Sequence, residues 1–304
     1  MHYDGVLGVS LYYTGNEPRT TVILIHGADA ETREMGWIVP YYVCNGVNVI
    51  SYDQRGTGKS SGNWRASGPP DRARDVDAIY DAFRNDAHVD PQRIGVWGFS
   101  NGGWTAPIVA VDRPMAFMIL KSPPAGSIEQ NSLFEQRQAL IQTGHSGADI
   151  ARATAALKTV LDAILGKAPI SSAKAAYAQA RRAKWYKDSF LAMVGEKDAL
   201  TEPHLSGWRR YLGYDPAPVL AEVRTPTLAL FGARDRRVDV KNDAPALTTA
   251  YAKSGTPLTV KWFSDAGHTL KVSPNGFEAA KPERYSRGFP EVMLDWLREH
   301  NFVR

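Results

Sequence analysis

Gly98-Phe99-Ser100-Asn101-Gly102-Gly103 follows the strand-like run Arg93-Ile94-Gly95-Val96-Trp97 and precedes a helix-like run over residues 104–111. A sharp turn from strand into helix is what a serine nucleophile requires. The free hydroxyl is a poor nucleophile, so it must be lifted clear of a sheet and set beside a base. Gly98 and Gly102 stand two positions either side of Ser100, where a Cβ would crowd a strained backbone. The start of the following helix offers backbone N–H groups and a partial positive charge to a reacting oxygen. A lone Gly-x-Ser-x-Gly arises often by chance; its position between strand and helix gives it weight.

The surrounding chain repeats the same alternation. Residues 6–13 read as a strand and Gly15-Asn16-Glu17-Pro18 as a turn. Residues 20–25 form a β-branched apolar run that ends at His26-Gly27, as a buried central strand would. A helix over 36–44, a strand over 47–52, a helix over 71–83 with Val76, Ile79, Tyr80 and Phe83 on one face, and a strand over 116–120 complete the first half. This rhythm predicts a parallel sheet covered on both faces. After Ser122-Pro123-Pro124-Ala125-Gly126 the pattern turns helical as far as Tyr214. Ser146 is placed to cap a helix bearing Ile150, Leu157, Leu161 and Ile164, and residues 171–187 read as another. Strands return at 227–231 and 258–263, and a helix over 289–300 closes the chain. The helical stretch is too long for one crossover. The expected division is therefore a core over 1–126, a helical cap over 127–214 and the rest of the core over 215–304.

Composition narrows the class. The 304 residues are 43% hydrophobic and 22% charged, enough for one large globular domain with an inserted cap. A net charge of +4 with scattered basic residues gives no basis for a nucleic-acid partner. Arg181-Arg182-Ala183-Lys184 and Arg236-Arg237 read as solvated faces. Cys44 is the sole cysteine, so neither an internal disulfide nor a cysteine metal site is expected. No apolar run is long enough to span a membrane. Met1-His2-Tyr3-Asp4-Gly5 lacks the basic and apolar regions of a leader, and the expected location is the cytoplasm.

A nucleophilic serine needs a base, the base needs an orienting acid, and the oxyanion needs donors. Asp235 ends the run Phe231-Gly232-Ala233-Arg234, and His268 ends Asp265-Ala266-Gly267, each just behind a predicted strand. Groups at the carboxyl ends of parallel strands converge on one crevice, and the order Ser100, Asp235, His268 suits that architecture. The backbone N–H groups of Asn101 and Ala28 are the candidate oxyanion donors, each worth about 3 kcal/mol in the transition state. Asp239 and Asp198 are rival acids; Asp198 falls in the helical stretch, and Asp239 reads as a loop or capping residue. His26 is expected to brace the oxyanion loop, while His145 and His204 lie in the cap without metal-ligand spacing. Asp53-Gln54-Arg55-Gly56-Thr57-Gly58-Lys59-Ser60 lacks the spacing of a phosphate loop and reads as a tight turn braced by Asp53 and Arg55. Trp97 reads as core. Trp37, Trp64 and Trp104 suit either packing or the pocket wall.

Taken together, His26-Gly27, the 53–60 turn, residues 98–103, Gly232 to Asp235 with Val238, and Gly267-His268 resemble the α/β-hydrolase superfamily. Arg55 to Ser60 with Gly62 and Trp64, and Tyr214-Asp215-Pro216, resemble more narrowly the bacterial serine esterases bordering prolyl-oligopeptidase-like, S9-type hydrolases. The resemblance covers the chain from about Thr20 onward. It implies an α/β-hydrolase fold, a mostly parallel sheet with helices on both faces and an inserted helical cap. It also implies Ser100, Asp235 and His268 as a triad, with Ala28 and Asn101 at the oxyanion hole. Ala28-Asp29 departs from the small residue and glycine usual after His-Gly, and Asp29 there is expected to disfavour anionic substrates. The expected activity is cleavage of a small carboxylic ester or short acyl substrate through an acyl-enzyme, with no cofactor and no metal. Aminopeptidase or acyl-peptidase, and thioesterase or lactonase, are the alternatives within the class. A hydrolase-fold ligand receptor is the alternative outside it.

Overall fold

The computed structural model describes residues 5–277 and 284–303; residues 1–4, read above for a leader, lie outside them. Among the described residues, β1 (Val9–Tyr12), β2 (Arg19–Ile25), β3 (Asn48–Tyr52), β4 (Val89–Phe99), β5 (Met118–Lys121), β6 (Thr227–Gly232) and β7 (Leu258–Phe263) form one sheet. Their order is β1-β3-β2-β4-β5-β6-β7. β1 runs antiparallel to β3, with Val9 opposite Tyr52. The other pairs are parallel, with Val22 opposite Gly95 and Leu120 opposite Ala229. The fold is that of an α/β-hydrolase.

The apolar continuity of β2 follows from burial on both sides. Val22 and Leu24 pack with Val49 against Ile38 and Tyr42 of α1 (Ile38–Cys44) and Met293 and Leu297 of α12 (Phe289–Glu299). Ile23 and Ile25 point the other way, as alternate strand residues must. They join a core with Val76 and Ile79 of α2 (Pro69–Phe83) and Ala106 of α3 (Gly102–Asp112), which extends along the sheet to Leu247 of α11 (Val240–Ser254). Two covered faces remove the polar alternation that a half-exposed strand shows.

Between β5 and β6 the chain forms α4 (Ile128–Gln142), α5 (Gly147–Ile164), α6 (Ile170–Ala180), α7 (Phe190–Val194), α8 (Glu196–Leu200), α9 (His204–Leu212) and α10 (Pro216–Glu222). α4 to α9 lie inside the 127–214 stretch read as a cap. They bury an apolar core of their own that includes Leu157, Leu161, Tyr177, Leu191 and Leu205. Trp104 of α3 joins this core, so the insert is seated on the helix that follows Ser100. Ser146 caps α5 by accepting from the Asp149 N–H at 3.1 Å. The helix expected over 171–187 stops at Ala180, and Trp185 beyond it turns in to be buried. No helix of the described residues is long and apolar enough to cross a membrane.

Candidate active site

The chain leaves β2 for β3 on one side, then crosses to β4 on the other. That reversal opens a crevice beyond the carboxyl ends of β2 and β4. His26-Gly27-Ala28 follows β2 and Ser100 follows β4, so the two segments flank this crevice.

Ser100 has φ of +52°, a left-handed backbone usually left to glycine. Its N–H donates to the Lys121 carbonyl at 3.0 Å, and its carbonyl accepts from Gly103 at 2.7 Å. The turn leaves no space for side chains at its flanks. A Cβ on Gly98 would lie 2.6 Å from the Gly102 carbonyl oxygen, and one on Gly102 would lie 2.7 Å from the Ile25 carbonyl oxygen. Asn101 is the N-cap of α3, and its backbone N–H meets no acceptor among the described residues.

Asp235 and His268 come together from the ends of β6 and β7. His268 Nδ1 lies 2.8 Å from Asp235 Oδ2, and both side chains are buried. Asp235 Oδ1 accepts from the N–H groups of Arg237 at 2.7 Å and Val238 at 2.9 Å, which fixes the carboxylate plane. The two loops touch because Gly232 has no side chain: a Cβ there would sit 2.2 Å from the Gly267 carbonyl oxygen. Phe99 sets its ring 5.1 Å from the His268 ring, centroid to centroid, which puts the residue before Ser100 against the imidazole. The rival acids stand elsewhere in the bonding pattern. Asp239 accepts from Asn242 at the start of α11, and exposed Asp198 of α8 lies 3.6 Å from His204.

The loop that follows β2 is tied at several atoms. His26 Nδ1 lies 3.1 Å from Glu31 Oε2 and its Nε2 lies 2.5 Å from the Tyr52 carbonyl oxygen. Glu31 also accepts from the Gly27 N–H at 3.1 Å. Burial works to raise the Glu31 pKa, but the bonds from His26 and Gly27 outweigh it and hold the group below the usual carboxylate range. Buried Arg72 of α2 donates to the Gly27 carbonyl at 3.0 Å. Gln54 accepts from Arg72 at 3.2 Å and donates to the Asp29 carbonyl. Ala28 is exposed at the end of this braced loop, and its N–H meets no acceptor among the described residues. The 53–60 turn supports the loop from behind. Asp53 accepts from the N–H groups of Arg33 at 2.9 Å and Lys59 at 2.8 Å, and Arg55 grips Asp75 through Nε at 2.8 Å and Nη2 at 2.6 Å.

Several groups at the crevice carried no signal in the sequence. Buried Ser122, with φ of +50°, donates its hydroxyl to the His268 carbonyl at 2.7 Å and steadies the histidine loop. Tyr211 of α9 reaches from the insert to accept from Asn101 Nδ2 at 2.8 Å. Burial pushes its phenol up to about 12. Glu135 of α4 lies 4.0 Å from Arg237. Burial raises its carboxyl above the usual range, against the opposing pull of Arg237 and His268. Such residues could be found only from the packing of the insert, because no local pattern marks them. A cavity of about 390 Å³ opens beside the loop that follows β2, walled by Glu31, Met35, Trp37, Trp97, Phe99 and Lys121. His145 pairs with Asp188 at 2.8 Å, and no cluster of three potential metal ligands occurs among the described residues.

The family model of serine aminopeptidase, S33, matches residues 16–146. That match does not specifically support the S9-type border. Thiohydrolase aneE of Aspergillus aculeatus is 29% identical over 107 residues, covering 34% of this chain and 33% of that protein. The chain thus spans about a third of this curated relative's length. Among solved structures, that of DcsB in complex with its substrate analogue superposes with a TM-score of 0.59 at 16% identity, covering 97% of this chain and 99% of that one. Est1E from Butyrivibrio proteoclasticus, solved with ferulic acid bound, gives 0.58 at 14% identity over 97% and 95% of the two chains.

Proposed function

We propose that this chain, whose fold is that of an α/β-hydrolase and whose residues 16–146 match the serine aminopeptidase, S33, model, is a serine hydrolase that cleaves a carboxylic ester through an acyl-enzyme. The observation that supports this best is the buried His268–Asp235 contact of 2.8 Å beside the strained turn at Ser100. In the proposed reaction, His268 takes the Ser100 proton as Oγ attacks the carbonyl carbon. Asp235 holds the Nδ1–H tautomer and stabilises the imidazolium. The tetrahedral oxyanion is received by the N–H groups of Ala28 and Asn101, both without acceptors among the described residues. Collapse expels the alcohol, which takes the proton from His268. Water, deprotonated by His268, then attacks the acyl carbon and frees the acid and Ser100. Residues 127–214 serve as the roof over this site, with Trp104 and Tyr211 as the points of attachment.

A thioester substrate is the second reading, favoured by the similarity to a protein named as a thiohydrolase. The same acyl-enzyme serves both, since only the leaving atom differs. A fluorophosphonate probe tests the shared chemistry: it should label wild-type protein at Ser100 and leave Ser100→Ala unlabelled. Parallel turnover of p-nitrophenyl esters, N-acetylcysteamine thioesters and aminoacyl anilides then separates the classes. Fast anilide cleavage with negligible turnover of the other two would replace the ester reading by an aminopeptidase.

A further inference from the structure

The residue that follows Ser100 does more than offer a backbone N–H. Its side chain meets Tyr211, which the insert delivers on α9. The Asn101–Tyr211 pair carries two amide hydrogens and one phenol hydrogen. One of them joins the pair, whichever way the amide faces. The remaining two have no acceptor among the described residues. Arg72 stands behind them with the same surplus. Its side chain is buried, its Nη1 is taken by Gly27, and its Nε has no acceptor among the described residues. Among the charges that act on the Tyr211 phenol, that of Arg72 is the largest, and Tyr211 heads those that act on Arg72. Of the three, only the buried Arg72 Nε is left without any partner among the described residues, a costly state; buried Asn101 and half-buried Tyr211 are each other's partner and hold spare hydrogens.

We propose that Asn101 and Tyr211, backed by Arg72, form a donor cluster that selects substrates carrying a neutral oxygen on the acyl chain within a few bonds of the scissile carbonyl, as in a hydroxyacyl or oxoacyl group. This rests on the serine hydrolase reading above. The cluster hangs on the nucleophile's own neighbour, and only the acyl group remains bound to Ser100 after the leaving group departs. A donor placed there serves both half-reactions if it holds the acyl side. The oxygen is neutral because the positive charge of Arg72 at the cluster is opposed by Glu135 on α4, and Asp29 in the loop after β2 disfavours an anion. An alkyl chain would leave the spare hydrogens of Asn101 and Tyr211 without a substrate acceptor, which is the condition under which a site rejects an analogue lacking the polar group.

The test compares butyl 3-hydroxybutanoate, butyl butanoate and 2-methoxyethyl butanoate in a pH-stat assay, with fluorophosphonate labelling of Ser100 as a separate readout. Wild-type protein should prefer the 3-hydroxyacyl ester over butyl butanoate by about tenfold or more in kcat/KM. Tyr211→Phe and, as a second variant that keeps the backbone donor, Asn101→Ala should each collapse that ratio to below about threefold. A wild-type ratio below about tenfold overturns the proposal. So does a ratio that either folded variant keeps, or a preference that follows the oxygen on the alcohol side. Labelling separates the two levels. Intact labelling with a flat ratio sinks the donor cluster alone, whereas absent labelling sinks the serine hydrolase reading and the cluster with it.

Discussion

Ser100 holds a left-handed backbone at the tip of the β4–α3 turn. For a residue with a Cβ this conformation costs about 1–2 kcal/mol, and glycine is spared that cost. Ser100→Gly should therefore exceed Ser100→Ala in stability by about 1 kcal/mol, as read from urea midpoints at constant slope. Equal midpoints would mean that the turn carries no strain at that residue. Asp243 offers a second test at this scale. Its carboxylate accepts from the N–H groups of Ala125 at 3.0 Å and Gly126 at 2.7 Å, where the chain enters the insert. Burial pushes its pKa up from 3.8 to about 6, against those two bonds. The folded state then binds the proton more tightly than the unfolded state. The stability that this proton brings is present below pH 3.8 and lost as pH rises to about 6. Asp243→Asn keeps the acceptor oxygen without the charge. It should gain stability over wild type by on the order of 2 kcal/mol at pH 7.5, with the gap closing by pH 4. Chemical denaturation at the two pH values checks this, and a gap that widens on acidification would reverse the sign.

The elements meet through glycines that the sequence presents without explanation. Gly207 of α9 lies against the short helical turn at Trp64–Ala66, where a Cβ would come 2.7 Å from the Ala66 Cα. Arg210 fixes the same contact by donating to the Ala66 carbonyl at 2.7 Å, and Arg209 donates to the Ile164 carbonyl at 2.9 Å. Gly207→Ala must push α9 outward, at a cost of about 1–3 kcal/mol. Because α9 carries Tyr211, the variant should also lose kcat/KM, whereas Arg209→Lys, which keeps a donor, should lose less. Steady-state kinetics beside thermal melts would show it, and an unchanged kcat/KM in a destabilised Gly207→Ala would uncouple α9 from the site. At this scale the sequence was legible where a period repeats. β2, α5 and α12 lie where an apolar run or helical spacing placed them, since each buries its apolar residues. The short helices α7, α8 and α9 were not resolved within the broad helical stretch, because five to nine residues span too few turns to display a period.

The whole molecule is a sheet with two buried faces and a third core inside the insert. Trp104 belongs to the third core although it sits on a helix of the sheet layer, and its Nε1 donates to the Gly126 carbonyl at 3.0 Å. Tyr214 donates back to the Trp104 carbonyl at 3.2 Å. Truncating this shared side chain, as in Trp104→Ala, should cost about 3–5 kcal/mol. The loss should fall on the insert first, so hydrogen exchange in α5 and α6 should quicken before that in β2 and β4. Uniform acceleration across sheet and insert would show that the two unfold as one unit.

The residues themselves, read in order, determined the strand–turn–helix around Ser100, the sheet with helices on both faces, and the placing of candidate chemistry behind strands. These follow from local physics: backbone conformation, apolar period and the small residues a tight turn demands. Only the tertiary structure decided which distant groups share the crevice. The meeting of Asp235 with His268, the reach of Tyr211 to Asn101 and the bracing of Gly27 by Arg72 span 33, 110 and 45 positions. Contacts over such distances depend on how sheet and insert pack, and no periodicity within one segment encodes the neighbour it will meet.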